Sequence, residues 1–446
     1  MRRVILLLFF IILTSNQVLA ELAWDYNVRL NENLDTLSVT ARLSRHVPSR
    51  MSLQTGAEQF VIRPQILRKG RWEDLDREGD SWYLPADGPY QIRYDFALRE
   101  ALEAFEDWKF AATAGRVMIA QPGLWMLRPL GSKATDEVRF TVETPSRTQF
   151  VSGISKKGDA YQIRCRQLAF APLCAFGPFR TRRVKYAEGE VLIALDPRQF
   201  PGSATETLDW VEHTSDEVRM YLQGAPVPRT MILLIASSRN QGRVQGDGGA
   251  SVAVRVDRNA SLEELEQDWH LRHELIHLAH PSLSSHRWFE EGLAVYAEFA
   301  MRLANGHLSP KDFWEELQDR IPESQENRTG GLDDSGNLSH IYWGGTLYFL
   351  LADMEIRLQT DNRRSIHDAI RSWHKQGGNV SVAWDIEQTL SVADRATGTK
   401  TLSALYQRIG RGREQIDLNQ LWSSLRDSRV KEWIEAGDSP MTSSRP

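Results

Sequence analysis

Hydrophobic and polar positions alternate through much of the first half of the chain. Branched and aromatic residues take every second position in short segments, and Gly, Pro, Asp and Ser separate these segments. A period of two is typical of strands that turn one face toward a core. We therefore predict a β-rich, β-sandwich-like N-terminal domain over residues 21–200, built from segments such as YNVRL, TLSVTARL, YQIRYDFAL, EVRFTVET and EGEVLIAL.

The pattern changes near residue 200, where the stretch DPRQFPGSATETL marks a domain boundary. An apolar strand (231–236), a glycine-rich loop and a second strand (250–257) follow, and apolar residues then recur with a helical period. Ser261 and Glu264 match the S-x-x-E capping pattern, which predicts one helix from there through the histidine-rich stretch that follows. The second domain, over 201–435, should be mostly helical, and 436–446 should be a disordered tail.

The N-terminus has the layout of a secretory signal peptide over residues 1–20. Two arginines precede an apolar run (4–13), and Val18-Leu19-Ala20 offers a cleavage site. The run is about half the ~20 residues that a bilayer span requires, so an uncleaved anchor is the weaker alternative. We expect an exported protein, periplasmic or secreted, with no stable membrane span after cleavage. There, Cys165 and Cys174 could form a disulfide or remain buried thiols.

Composition narrows the possible partners. With a formal net charge of -5 and no basic run, the chain does not resemble a general nucleic-acid binder. Its 446 residues are 41% hydrophobic, which is enough for two or three domains with substantial cores. The oligomeric state stays open.

The candidate chemistry lies in HLRHELIHLAH (270–280), which holds four of the chain's 11 histidines. His273, Glu274 and His277 form an H-E-x-x-H motif. On a helix, residues four apart share a face, so the two imidazoles can hold one Zn²⁺ at ~2.0–2.1 Å. Glu274 would lie close to the metal without binding it and could take a proton from the attacking water.

A catalytic zinc needs a third protein ligand and one open position. The metzincin pattern requires glycine and histidine where this chain has His280 and Leu283, so it is excluded. Glu291 follows His277 by fourteen residues, and a helix-turn-helix would bring its carboxylate back to the histidines. Glu290 is the competing candidate, about 100° away around the helix. We expect one zinc ion per chain.

The H-E-x-x-H motif and the following W-x-x-E-G-x-A-x-Y (from Trp288 to Tyr296) resemble the gluzincin metallopeptidases. The chain is similar in particular to the glycyl aminopeptidase family and its peptidase MA-like relatives, over roughly 248–370. This resemblance implies an α+β protein whose helical catalytic domain is thermolysin-like with a small edge sheet. It also implies that Glu291, rather than Glu290, is the third zinc ligand.

The resemblance implies further roles. Tyr342 would donate a hydrogen bond to the oxyanion, a contribution of ~3–4 kcal/mol by analogy with other oxyanion holes, although it could also be a packed aromatic residue. His340 could serve instead or as well. Gly248, Gly249 and Ala250 would begin an edge strand that binds substrate, or an ordinary loop-to-strand junction. Three further histidines are each expected to serve in packing, solvation or hydrogen bonds to the metal ligands: His270, His280 and His286.

One departure bears on specificity. Aminopeptidase relatives carry a glutamate in the glycine-rich segment that binds the substrate's free amine, whereas this chain has only Asp247 there. The predicted function is a zinc-dependent peptidase acting on peptides or proteins outside the cytoplasm, with endopeptidase and aminopeptidase modes both open. The alternatives are a non-catalytic peptide- or protein-binding protein on the same scaffold, and an amide hydrolase acting on other substrates.

Overall fold

The computed structural model describes residues 22–43, 49–85, 90–105, 111–196, 198, 200, 202–238, 240–283, 285–426 and 428–437. The predicted signal peptide lies outside these residues, and so does the predicted tail except for its first two positions. Strands dominate the N-terminal half and helices the C-terminal half, which confirms the α+β class. None of the helices within the described ranges has the length and apolar character needed to cross a bilayer.

The described part of the N-terminal half is built from short strands and two short helices. In chain order they are β1 (Leu22–Leu30), β2 (Leu37–Leu43), β3 (Arg50–Ser52), β4 (Val61–Arg68), β5 (Arg71–Asp74), β6 (Arg77–Glu78), β7 (Ser81–Tyr83), β8 (Tyr90–Phe96), α1 (Leu98–Phe105), β9 (Ala111–Ala114), β10 (Val117–Ala120), α2 (Pro122–Trp125), β11 (Arg128–Pro129), β12 (Glu137–Glu143), β13 (Gln149–Ser152), β14 (Lys156–Lys157), β15 (Ala160–Arg164), β16 (Cys174–Gly177), β17 (Arg180–Lys185) and β18 (Glu190–Leu195).

Three sheets in this half share one hydrophobic core. The largest has eight strands in the order β14-β15-β12-β1-β2-β8-β4-β5, and two four-stranded sheets have the orders β13-β16-β10-β9 and β11-β3-β7-β6. Strand β2 alternates buried and exposed positions along its whole length, as a half-buried strand should. Trp125 meets Phe140 edge to face with ring centroids 6.2 Å apart. Cys165 and Cys174 are buried and not joined in a disulfide.

The described part of the C-terminal half is mostly helical. Its elements are α3 (Ala204–Leu222), β19 (Arg229–Ser237), β20 (Gln241–Gly246), β21 (Ala250–Asp257), α4 (Leu262–Gln267), α5 (His270–Ile276), α6 (Arg287–Ala304), α7 (Pro310–Arg320), α8 (Gly345–Thr360), α9 (Ile366–Lys375), α10 (Ile386–Thr397), α11 (Thr401–Leu405), α12 (Leu418–Leu425) and α13 (Arg429–Glu435).

A five-stranded sheet supports these helices, with the order β17-β18-β19-β21-β20. β19 pairs in parallel with β18 and β21, and eight of its nine residues are buried, as expected for an inner parallel strand. β20 is antiparallel to β21 and forms one edge of the sheet. Because β17 and β18 precede residue 200, this sheet crosses the predicted domain boundary. Alternation identifies a strand but does not identify the sheet that it joins.

The prediction of one helix from Ser261 through the histidines is wrong. Ser261 does cap α4, accepting a hydrogen bond from the Glu264 N–H at 3.1 Å, but α4 ends at Gln267. Asp268 is extended, and its carboxylate accepts a hydrogen bond from the His270 N–H at 2.9 Å. This contact satisfies a backbone N–H at the start of α5, which is a separate helix from α4.

Candidate metal centre

Two consecutive helices bring the three predicted metal ligands together. His273 lies on α5, His277 follows it in a short 3₁₀ turn, and Glu291 lies on α6. The Nε2 atoms of the two histidines are 3.2 Å apart. Glu291 Oε2 lies 3.3 Å from His273 Nε2 and 3.5 Å from His277 Nε2. Three potential ligand atoms therefore form a nearly equilateral triangle.

The triangle has the size that zinc requires. Ligands at ~2.0–2.1 Å from a tetrahedral zinc are separated from one another by about 3.3–3.4 Å. Two imidazole nitrogens with one carboxylate oxygen are also a donor set that zinc accepts in catalytic sites. A cleft of about 560 Å³ opens onto the three side chains. The residues present thus fit a zinc ion with an accessible fourth side.

Charge within the group favours metal binding at neutral pH. Burial lowers the pKa of His273 to about 4, so its imidazole is neutral and carries a lone pair. Burial also opposes the charged form of His277, but Glu291 outweighs this effect and raises its pKa. For Glu291, burial is outweighed by hydrogen bonds from both histidines, and its pKa falls well below the ordinary value. A cation placed among them would replace protons that the cluster otherwise attracts.

His280 orients His277. Its Nδ1 donates to the Pro281 carbonyl at 2.9 Å, since that oxygen can only accept. His280 Nε2 must then accept from His277 Nδ1, 3.1 Å away, so His277 Nε2 is the atom that can donate to Glu291 or, once it has lost its proton, bind a metal ion. Burial lowers the pKa of His280 to about 3, so it stays neutral in this role. Of the uses considered for His280, the structure shows the hydrogen bond to a candidate ligand.

Glu274 lies in the same cleft and packs tightly against the edge strand. A Cβ atom at Gly242 of β20 would lie 2.2 Å from Glu274 Cγ, so a larger residue at position 242 would force this carboxylate to shift. Burial raises the pKa of Glu274 to about 7. A carboxyl group with that pKa can both accept and return a proton near neutrality.

The competing glutamate, Glu290, is turned away from the histidine nitrogens. Its Oε1 accepts a hydrogen bond from the Leu283 N–H at 2.8 Å. Glu290 and Glu291 are consecutive residues of α6, so their side chains leave the helix about 100° apart. The Arg287 Nε lies 3.3 Å from Glu291 Oε1, a contact that the i, i+4 spacing of these residues indicates.

Tyr342 reaches the cleft from a π-helical turn, His340–Gly344, which leads into α8. Its ring lies nearly parallel to that of His273, with centroids 6.3 Å apart. Burial and the charge of Glu291 raise its pKa to about 12, so the hydroxyl keeps its proton. His340 points elsewhere: its Nδ1 bonds Ser335 Oγ at 2.8 Å and its Nε2 the Glu326 carbonyl at 2.9 Å.

The prediction that the segment from Gly248 to Ala250 begins the edge strand is wrong. Gly248 and Gly249 form the turn between β20 and β21, and Ala250 is the first, buried residue of the inner strand β21. Gly248 and Gly249 line a different cavity, of about 850 Å³, between the two halves of the chain. The strand that passes the metal ligands is β20, because the first strand of the β20–β21 hairpin, and not its turn, lies against α5.

Other cleft residues escaped sequence reasoning. Gly242, Arg243 and Trp269 line the cleft, and Trp269 is 39% exposed at its rim. Only Trp269 carried a sequence signal, its place one residue before the histidine-rich stretch. The two remaining histidines make structural contacts: His270 Nδ1 lies 3.0 Å from Asp268 Oδ2, and His286 Nε2 lies 3.1 Å from the Tyr406 hydroxyl.

No family model matches this chain, and no curated protein does so either. Solved structures do. An aminopeptidase N family protein from Idiomarina loihiensis superposes with a TM-score of 0.66 at 13% identity, covering 90% of this chain and 78% of that one. An M1 zinc metallopeptidase from Deinococcus radiodurans gives 0.55 at 12% identity, covering 89% and 94%. A variant of the latter bound to a Tyr-Ser-Ala substrate gives 0.54 at 13% identity, covering 89% and 94%.

Identities this low establish the fold alone. The chain has a gluzincin aminopeptidase-like fold over nearly its whole length, in which a β-rich N-terminal region precedes a helical C-terminal region. The resemblance inferred from the sequence motifs is confirmed at this level.

Proposed function

We propose that this chain is a zinc-dependent peptidase. The observation that carries the proposal is the triangle of His273 Nε2, His277 Nε2 and Glu291 Oε2 in an open cleft that also holds Glu274. These three residues would hold one zinc ion per chain. When bound, zinc would supply a Lewis acid that polarises a carbonyl group and acidifies water.

Glu274 acts as the proton carrier. Its buried carboxylate takes a proton from the attacking water and later returns it to the leaving amine. Its pKa of about 7 suits both transfers. Its side chain packs closely against Gly242, and a carboxylate held by packing needs less reorganisation during the reaction.

Tyr342 stabilises the oxyanion. Its hydroxyl stays protonated at neutral pH, and its ring lies beside that of His273, with centroids 6.3 Å apart. A donor that is already oriented in a site sheltered from water stabilises developing negative charge more than a mobile one does.

A peptide substrate suits the edge strand. Among the described strands β20 pairs only with β21, so its other side offers main-chain N–H and C=O groups to an extended chain. That a structurally similar metallopeptidase binds the tripeptide Tyr-Ser-Ala supports the same substrate class here. The signal-like segment 1–20 supports a periplasmic or secreted location, which fractionation of expressing cells would test.

The decisive experiment is metal analysis of the purified protein followed by digestion of a peptide library. We expect about one zinc per chain, and hydrolysis that a chelator removes and zinc restores. Glu274→Gln should retain zinc and lower hydrolysis by about 10²–10⁴-fold. Peptide binding with no hydrolysis by the zinc-loaded wild type would instead identify a binding protein on the same scaffold.

A further inference from the structure

The cavity between the two halves of the chain is separate from the candidate metal centre. Its volume of about 850 Å³ is within the range of sites that bind small ligands, and no described residue lines both this cavity and the metal cleft. Residues 380–383 lie between them: Val380 lines the cleft, and the three residues that follow line the cavity. The Val380 side chain also covers Gly246 at the end of β20, where a Cβ atom would lie 2.5 Å from Val380 Cγ1. The cavity is therefore a second site in its own right.

Contacts between the halves fix the shape of this cavity. Gln167 Nε2 donates to Asp247 Oδ1 at 2.7 Å, and both residues belong to the lining. Gly249, also in the lining, pairs with Ile154 in an isolated antiparallel bridge. Because the walls are already joined, little ordering of the chain would oppose the binding of a ligand.

Arginines dominate the charge of the lining. Arg164 and Arg166 come from the N-terminal half, and Arg229 begins β19. Two carboxyl groups, those of Glu137 and Asp247, share the lining with them. The lining therefore keeps a net positive charge even when both carboxyl groups are ionised.

The guanidinium groups remain available to an anion. Arg164 and Arg166 are exposed, and neither forms an ion pair among the described residues. Arg229 is 5% exposed, and its Nη1 contacts Glu190 while its Nε lies 3.4 Å from the Ser152 carbonyl oxygen. Its Nη2 has no hydrogen-bond partner among the described residues. A buried donor without an acceptor is costly, so the approach of an anion is favoured.

The two carboxyl groups, in contrast, already accept hydrogen bonds. Asp247 accepts from Gln167, and the Glu137 carboxylate accepts from another glutamine side chain. Burial raises the pKa of Asp247, although the hydrogen bond from Gln167 and the charges of Arg166 and Arg164 oppose this effect. The unsatisfied groups of the lining are thus its cations.

Apolar side chains also line the cavity: Ile163, Phe170, Val227, Pro228, Val382 and Ala383. Phe170 is 67% exposed, although large aromatic side chains are mostly buried. Ligand sites typically combine apolar walls with a few polar groups that orient the ligand. This cavity offers both kinds of contact.

We propose that this cavity binds a carboxylate that is attached to an apolar group. Guanidinium groups bind planar carboxylates through paired N–H donors. A single negative charge matches the lining, whose three arginines exceed its two carboxyl groups by one. The carboxyl terminus of a peptide with an apolar last residue has this chemistry, and so does a free organic acid. Binding requires neither zinc nor Glu274, so the site does not depend on the proposed peptidase function.

Calorimetric titration of the zinc-loaded protein with N-acetyl-leucine and with N-acetyl-leucinamide tests the proposal. The two compounds share the apolar side chain and differ in the carboxylate, so only the acid should bind. Replacing both exposed arginines, Arg164→Gln with Arg166→Gln, should raise the Kd of the acid by about 4- to 25-fold, since one exposed ion pair contributes roughly 2- to 5-fold. The matched control, Arg42→Gln with Arg71→Gln, removes two exposed arginines outside the lining and should bind like wild type.

Two further titrations define the ligand. Phe170→Ala should weaken the binding of N-acetyl-leucine more than that of N-acetylglycine, because only the former has an apolar side chain to contact the ring. Tighter binding of N-acetyl-leucine than of octanoate would identify a peptide carboxyl terminus as the source of the carboxylate, and the reverse order a free organic acid.

Three results would overturn the proposal. They are the absence of binding of N-acetyl-leucine to wild type, equal binding of the acid and the amide, and an unchanged Kd after the replacement of Arg164 and Arg166. A carboxylate bound at the zinc ion would give the last of these results.

Discussion

The two halves of the molecule bury different kinds of side chain. In the described N-terminal half, the buried polar residues are Ser, Thr and Gln, apart from Asp196 at its end, and the core is aromatic and aliphatic. The C-terminal half buries the charged groups Arg272, Asp353 and Arg357, and also Glu298, whose burial raises its pKa to about 8. Burying charge is costly unless the group is paired and hydrogen-bonded.

The charged groups surround the elements that carry the candidate site. Arg272, directly before His273, donates from Nε to Glu217 on α3 at 2.9 Å and from Nη1 to the carbonyls of Glu266 and Asp268. The second oxygen of Glu217 lies 2.8 Å from His307 Nε2. Such directional contacts fix the orientation of α5, whereas apolar packing alone tolerates small rotations. This difference shows that apolar packing stabilises the N-terminal half, whereas in the C-terminal half hydrogen bonds of buried charged groups also orient the helices that carry the candidate site.

Phe140→Ala would test the contribution of apolar packing to the N-terminal half. Phe140 is fully buried among aromatic rings, so its loss should lower the free energy of unfolding by about 3–5 kcal/mol. Denaturant unfolding measures this cost, and metal analysis of the folded variant should still find wild-type zinc. A folded variant that cannot bind zinc would show that packing in the N-terminal half also determines the geometry of the metal site.

Arg357→Met would test the contribution of a buried ion pair to the C-terminal half. It leaves the Asp353 carboxylate, 1% exposed, without the guanidinium that contacts it at 3.0 Å. Breaking a buried pair on one side should cost about 3–5 kcal/mol in unfolding free energy. The control is Arg364→Met, which removes a more exposed pair with Asp368 and should cost about 0–1 kcal/mol. Similar costs for both variants would remove the distinction between buried and exposed charge.

His280→Phe should weaken zinc binding without unfolding the chain. It deletes the acceptor of the His277 Nδ1 proton, and the loss of such an outer partner typically lowers metal affinity by about 10–100-fold. Competition with a chromogenic chelator at pH 7 measures the change. His213→Phe, at an exposed position on α3, is the control. Unchanged affinity in His280→Phe would mean that His277 needs no such support.

Glu298 should make stability depend on pH. Burial, opposed by Arg302 and Arg272, raises its pKa from 4.5 to about 8. The folded state therefore holds a proton that the unfolded state releases, so this contribution is complete below pH 4.5 and is lost as pH rises through 8. The slope is at most about 1.4 kcal/mol per pH unit. Unfolding free energies from pH 5.5 to 7.5 should decline less steeply in Glu298→Gln; parallel profiles would contradict the shift.

Much of the architecture is encoded in local patterns. The alternation in β2, the capping box at Ser261 and the four-residue spacing of His273 and His277 each depend on neighbours close in sequence. Such features predict which elements form and which face each side chain takes. The sequence does not reveal which glycine-rich residues form the edge strand, because the turn of this hairpin and the strand before it have similar compositions. Only the pairing of β20 with β21 shows which residues belong to the strand and which to the turn.

Long-range packing decides the rest. Whether Glu290 or Glu291 meets the imidazoles depends on how α6 crosses α5, and the sheet that β18 joins depends on its pairing with β19. The fit of Glu274 against Gly242 and the cover of Val380 over Gly246 join residues more than thirty positions apart. A residue's own neighbours determine its helix face or strand face, because those are set by backbone periodicity. Which partner it meets there depends on the whole core, whose packing no short stretch of sequence contains.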